Sequence, residues 1–266
     1  MAYVETLLNL PLPAVVLGVF VVLAIASEAG FYAGAAMSRR FRTTAGVDND
    51  VDTNAATITN SSLALLALFL GFAFSSALSH FEKNRDAVTG EAVAITEVLN
   101  LARVQPSPYA EQLVSRLEKY VDHRLRVAEL PNEPKAIREL QLTSTALQKE
   151  LWTIVESQAK VNPNAPLLVG LVDALNGLVA AEKNRTESLI NGVPDGIFVP
   201  VALFLMFNGV LLGVSLGEGK RRHVILSWGL YFLVALAVGI IADLDRPLQG
   251  FINVDQAAMM VVKQSF

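Results

Sequence analysis

The chain has 266 residues, of which 53% are hydrophobic and only 17% charged, with a mean hydropathy of +0.44. That composition is too apolar for an ordinary water-soluble domain and points to a membrane. A net charge of −4 argues against nucleic-acid binding, the absence of Cys excludes disulfides, thiolate metal sites and Cys nucleophiles, and three His leave little room for zinc chemistry.

The apolar residues gather into four blocks, each long enough to cross a hydrocarbon core of about 30 Å. Residues 1–80 read as an N-terminal transmembrane hairpin with spans at about 12–37 and 60–79. The first span opens with Pro11 and Pro13, where a missing backbone donor does no harm at a helix start. It does not read as a secretory signal, since the preceding segment carries Glu5 and no Lys or Arg. Glu28 is its first charged residue. A carboxylate within a span marks an ion pathway, a proton relay or an interhelical partner. The competing reading ends the span early and leaves Glu28 near the headgroups. A polar connector then covers Thr43 to Thr59, and Asn60, Ser61 and Ser62 offer caps for the second span, which carries no charge.

Beyond that span the helical pattern continues without Pro to Val104, with Val88, Ala92, Ile95, Val98 and Leu99 at helical spacing. Residues 81–193 have the composition of a water-exposed four-helix domain. Pro106-Ser107-Pro108, Pro131-Asn132-Glu133-Pro134 and Asn162 to Pro166 divide it into four amphipathic stretches whose short connections favour antiparallel packing. In the third stretch the expected inner face is Ile137, Leu140, Ser144, Leu147, Leu151 and Ile154. Residues 194–243 form the second transmembrane hairpin, with spans at about 196–216 and 224–242 joined by the basic turn Lys220-Arg221-Arg222, and 244–266 are a polar tail whose segment Ala257 to Val262 is apolar enough to pack. The fold class expected is all-α: four transmembrane helices with a helical-bundle insert between the second and third.

Small residues recur every fourth position: Ala26, Gly30 and Gly34; Ala67, Gly71 and Ser75; Gly209, Gly213 and Gly217. Such faces let helix backbones approach closely in lipid, more often for packing within a chain than for a pore seam or subunit contact. The available pore linings are polar, at Ser75, Ser76, Ser79 and Asn208, or apolar, at Phe69, Phe72 and Phe74, which would gate by dewetting around an oligomer axis. The tetrad Glu82-Lys83-Asn84-Arg85 recurs as Glu182-Lys183-Asn184-Arg185. With Glu91, Asp243, Asp245 and Arg246, the residues Arg85 and Arg185 compose an expected charged cluster at the membrane mouth, serving anions and lipid headgroups or simply pairing among themselves. Arg85 and Glu91 are too far apart on one helix to pair, so partners on other helices are expected. Tyr120 and Trp152 read as bundle core. No motif for a phosphate loop, a zinc protease or a nucleophile elbow is present, and neither enzyme activity, metal nor cofactor is expected.

Orientation follows the Lys/Arg bias near the spans. Arg39, Arg40, Arg42, Lys220, Arg221 and Arg222 lie in the short loops, against Lys83, Arg85, Lys183, Arg185 and Arg246 on the other side. The rule puts the short loops in the cytoplasm and residues 81–193 outside it, for a multi-pass protein of a bacterial inner membrane.

Arg85, Gly90-Glu91-Ala92 with Ile95, Tyr120, Leu151-Trp152, Asn176, Arg185, Pro194 and Asp245-Arg246-Pro247 with Gly250 together resemble the bestrophin-like domain family of bacterial membrane proteins, over roughly residues 14–258. The resemblance implies four transmembrane helices with a helical insert, a homo-oligomer in the lipid bilayer, and conduction of inorganic ions, in the manner of anion channels whose hydrophobic neck lies on the second span. It also implies a cytoplasmic insert, the reverse of the charge bias. A non-conducting anchored module, recognising a partner or ligand through residues 81–193, is the alternative.

Overall fold

The computed structural model describes residues 11–42, 50–129, 134–192, 195–218, 224–246, 248 and 250–266. Among them the expectations for Pro131, Asn132, Glu133, Pro194, Lys220, Arg221, Arg222 and Pro247 have no counterpart, because those positions lie outside the described residues, as do the side chains of Arg40 and Arg42. The fold is all-helical, with no strand among the described residues. In chain order the helices are α1 (Leu12–Arg42), α2 (Asp50–Arg103), α3 (Tyr109–Leu125) with a 3-10 turn (Arg126–Glu129), α4 (Pro134–Val161), α5 (Pro166–Ile190), α6 (Asp195–Glu218), α7 (Val224–Leu244) and α8 (Ala257–Gln264).

Helices α1, α2, α6 and α7 each contain a stretch apolar and long enough to cross a membrane. Helix α2 is one uninterrupted helix of 54 residues, which at about 1.5 Å per residue is far longer than a bilayer core requires. It begins at Asp50, ten residues before the expected caps, so Asn60, Ser61 and Ser62 are interior to it and the expected connector from Thr43 to Thr59 is shorter than anticipated.

The chain divides into two compact units, Met1–Leu78 with Val193–Asp245, and Ser79–Gly192 with Arg246–Phe266. In the first, α1 packs along α6 and α7. A Cβ added at Gly30 or Gly34 would collide with the Val210 or Val214 carbonyl, and one added at Gly213 or Gly217 would collide with the Ser27 or Phe31 carbonyl. Two of the three small-residue stripes therefore meet each other inside the chain, where only glycine lets the backbones approach so closely. A Cβ added at Gly71, on the third stripe, would meet nothing within 4 Å among the described residues.

The second unit has an ordinary aqueous core. Ile95, Val98, Leu99 and Ala102 of α2 meet Leu113 and Leu117 of α3, Leu151 of α4, and Leu171, Leu175 and Leu178 of α5. Burying such side chains stabilises by about 1.5–3 kcal/mol each relative to exposure. Pro106 and Pro108 follow the end of α2, and Pro166 occupies the first turn of α5, where its missing N–H is harmless. On α4 the buried line runs through Ile137, Leu140, Ser144, Gln148, Leu151, Val155 and Gln158, leaving Leu147 and Ile154 on its flank. It carries polar members because Gln158 donates to Gln105 Oε1 at 2.6 Å. Helix α8 closes the core with Met259 and Val262, against α3.

Candidate functional site

The densest polar constellation lies inside the second unit, where Glu91 of α2 is fully buried. Helical spacing puts it in line with Val88, Ala92 and Ile95 on the core face, so its carboxylate must find partners there. It does so completely. Oε1 accepts from Tyr120 Oη at 2.8 Å and Arg124 Nε at 2.6 Å; Oε2 accepts from Arg124 Nη2 at 3.0 Å and Arg185 Nη1 at 2.7 Å. These four bonds use the acceptor capacity of an ionised carboxylate, and the Arg124 pair is bidentate. Arg124 Nη1 also meets Glu182 Oε1 at 3.6 Å and donates to Ser144 Oγ at 3.4 Å. Arg185 Nη2 donates to Gln256 Oε1 at 2.8 Å. Two buried cations thus face two buried anions, and the cluster joins α2, α3, α4, α5 and the segment before α8.

Burial alone would raise the Glu91 carboxyl, but the Arg124 and Arg185 guanidiniums and their hydrogen bonds outweigh it and hold it below the usual value. Burial and the Glu91 charge push the Tyr120 phenol well up, so it stays a donor. For Arg124 the attraction of Glu91 overcomes the opposing effect of burial; for Arg185 burial wins, helped by repulsion from Arg124. Both guanidiniums remain charged, since arginine does not lose its proton in proteins. Glu91 and Arg185, separated by most of the domain in sequence, are therefore direct partners. Arg85 is exposed. Asp243 and Asp245 end the first unit, and Arg246 begins the last segment of the second, where it is buried. The repeated tetrad is not equivalent in its two copies. Asn84 alone is buried in the first, where it accepts from Ser188 Oγ at 3.0 Å, whereas Glu182 and Arg185 are buried in the second.

The pore candidates of the first unit separate by exposure. Asn208 is buried and donates to its own helix at the Phe204 carbonyl, 2.8 Å away. Phe69 stacks on Phe204 with centroids 4.6 Å apart, and Ser76 is half-buried. Phe72 and Ser75 are exposed, Phe72 at 64%. Leu68, Phe72, Ser75 and Ser79 recur at helical spacing on one exposed face of α2. Glu28 is exposed and lines a cleft with Ser27, Phe31, Trp228 and Tyr231. Among the described residues no group of His, Asp and Glu is placed to hold a metal ion.

The sequence profile of the Bestrophin-like domain matches residues 14–259. The chain belongs to the bestrophin-like domain family. Solved structures agree on the fold. A bacterial Bestrophin homologue from Klebsiella pneumoniae, in one variant, is 16% identical with a TM-score of 0.65, covering 92% of this chain and 96% of its own. Another variant gives 0.67 at 12% identity, with 94% and 96% covered. A crystal structure described as that of a membrane protein gives 0.68 at 14% identity over 94% and 96%. No protein of curated function matches the sequence. As a bestrophin-like protein with four apolar helices, the chain is a multi-pass membrane protein.

Among the residues through which the sequence resembles bestrophin-like proteins, Glu91, Tyr120 and Arg185 are the ones that meet in the buried cluster, and Ile95 and Leu151 pack in the core beside it. Trp152 is half-buried against that core. Arg124 and Gln256 were not anticipated. The signal for Arg124 was present: it lies four residues after Tyr120, on the apolar face formed by Leu113, Leu117 and Val121. Gln256, in a segment without periodicity, carried none.

Proposed function

We propose that this protein is an oligomeric ion channel of anion-channel type in a bacterial inner membrane, its pore lined by the second span. The observation that carries the reading is the face of α2 that lies exposed among the described residues. Leu68 and Phe72 are more than half exposed, Ser75 and Ser79 follow on the same line, and Gly71 has open space beside it. An apolar row followed by hydroxyls is poorly explained by lipid contact alone. Repeated about a symmetry axis it makes a dewetting constriction at Leu68 and Phe72, followed by a polar vestibule. The bestrophin-like fold supports the same reading. The Lys/Arg bias favours cytoplasmic short loops and an extracytoplasmic helical unit.

Purified protein in planar bilayers carries single-channel anion currents under this reading, and Phe72→Ala, by widening the constriction, raises the conductance. Electrical silence across ions together with a monomer by light scattering overturns it.

One observation favours a non-conducting binding module instead. Ala92, Val93 and Leu101 of α2 and Val261 and Val262 at α8 line an open apolar groove of about 670 Å³, with Val93 and Val261 more than 60% exposed. Val93→Asp distinguishes the two readings: loss of capture of a soluble partner with silent membranes supports the module.

A further inference from the structure

Helix α8 has only 8 residues, Ala257–Gln264. An isolated helix in water needs about 12 or more, so α8 is helical because it is docked. Its inner side carries Met259, fully buried, and Val262, both in the core of the helical unit. The polar contacts that hold it differ at its two ends. Just before the helix the Gln256 side chain is buried: Oε1 accepts from Arg185 Nη2 at 2.8 Å, and Nε2 donates to the Val254 carbonyl at 3.2 Å. Arg185 Nη1 in turn donates to Glu91, so the start of α8 is tied directly to the buried charge cluster. In the last turn, Lys263 Nζ lies 2.9 Å from Glu118 Oε1 and 2.8 Å from Asp122 Oδ1, which are one turn apart on α3. These three side chains are 32%, 47% and 50% exposed, so water and salt reach the contact. Arg103, in the last turn of α2, donates to the Ser265 carbonyl just beyond α8, also at the surface.

An element held in this way can leave as a piece. Its apolar anchors are few beside the Leu, Ile and Val core that α2, α3, α4 and α5 share, and residues 250–256, which lead into it, are neither helix nor strand. Its polar contacts are buried at one end and open to ions at the other. Docked α8 also builds surface: Ala258, Val261 and Val262 form one wall of the apolar groove, and Val93, Glu97 and Leu101 of α2 form the other. We infer that α8 is a clasp, which opens and closes on its own while the rest of the helical unit stays folded, and whose closure assembles the groove and gives Arg185 its second partner. Ionic strength is the lever at the Lys263 end, where each exposed ion pair shifts such an equilibrium by up to about fivefold. A ligand of the groove is the opposing lever, because it binds only the closed clasp and holds it shut. The clasp stands whether or not the protein conducts.

The test is hydrogen exchange resolved by peptide, on the full chain in detergent, with α8 compared against the middle of α5 from Leu171 to Leu178. At low salt the α8 amides should be protected at least about tenfold less than those of α5, the local opening that a clasp requires. Raising the salt to about 1 M, where the screening length falls to about 3 Å, should accelerate α8 exchange several-fold and leave α5 unchanged. Lys263→Gln should reach the accelerated rate already at low salt and lose the salt response, whereas Lys263→Arg keeps both the slower rate and the response. Glu118→Gln combined with Asp122→Asn alters only the α3 side of the contact and should reproduce Lys263→Gln. Gln256→Ala leaves a buried Arg185 donor without its acceptor and should raise α8 exchange by about tenfold. Amides of α8 as slow as those of α5 overturn the clasp, as does a salt response that persists in Lys263→Gln. Acceleration of α5 together with α8, in salt or in Lys263→Gln, shows one cooperative core and also overturns it. Unchanged α8 exchange in Gln256→Ala overturns the link to Arg185.

Discussion

The two units of this chain solve packing in opposite ways. In the membrane unit the closest helix contact is backbone on backbone: Gly30 and Gly34 of α1 lie against Val210 and Val214 of α6, and Gly213 and Gly217 against Ser27 and Phe31. In the helical unit, large aliphatic side chains fill the core, and at its edge sits a buried quartet of charges, Glu91, Glu182, Arg124 and Arg185. The difference follows from the solvent. Water drives apolar side chains together, so a core of Leu and Val assembles without close backbones. Lipid provides no such drive, and dispersion between surfaces in tight contact must do the work. A fully bonded charge cluster is then an orienting device: it adds geometry that an aliphatic core leaves loose, at a desolvation cost which its hydrogen bonds offset.

The largest expected effect separates the units at that cluster. Glu91→Ala leaves two guanidiniums buried without their shared anion and should destabilise the helical unit by about 3–5 kcal/mol. Hydrogen exchange resolved by peptide should show the loss across α3, α4 and α5 while α6 and α7 keep their protection. Equal loss in both units would mean that the cluster is not confined to the stability of its own unit. The next effect inverts the comparison. Gly213→Leu forces a side chain against the Ser27 carbonyl and should cost the membrane unit roughly 1–3 kcal/mol or more by overpacking. Gly71→Leu, on the stripe with open space beside it, should leave the detergent-solubilised monomer's melting unchanged and act only on subunit association, read by light scattering.

Much of this comparison was legible in the residues themselves. Long charge-free runs marked the spans, proline clusters marked the bundle's turns, and four-residue spacing exposed the glycine faces, because each of these is a local pattern. Which stripe met which was not local: Gly30 finds Val210 across most of the chain. The start of α2 was misplaced for another reason. Asn60 to Ser62 are strong caps by composition, but the segment from Asp50 continues the helix through Thr and Asn residues of weak propensity, so pattern and structure diverge there. Glu91 and Arg185 are expected in a charged cluster from the repeated tetrad and its position beside the spans, yet their mutual contact depends on how α2 and α5 pack. The spacing of Arg124 on the apolar face of Leu113, Leu117 and Val121 signals that it turns inward, but no spacing rule names the partner it meets there.

Acid should make the smallest and most gradual break in the helical unit, in two stages. Burial holds the His123 imidazolium below its ordinary value of 6.5 although the Leu140 carbonyl supports it, so the folded chain resists a proton that the unfolded chain accepts. Stability is therefore full above that ordinary value and declines as pH falls through it toward the folded value. Glu91 acts in the same direction at lower pH. Its folded carboxyl titrates below the ordinary 4.5, so its contribution is complete above that point and disappears as pH falls through the folded value. Hydrogen exchange in α3 and α4 measured from pH 7 down to pH 4 should show the first decline, and His123→Gln should flatten it while leaving the second. If the upper decline persists in that variant, its source lies elsewhere than in the imidazole between α3 and the Leu140 carbonyl.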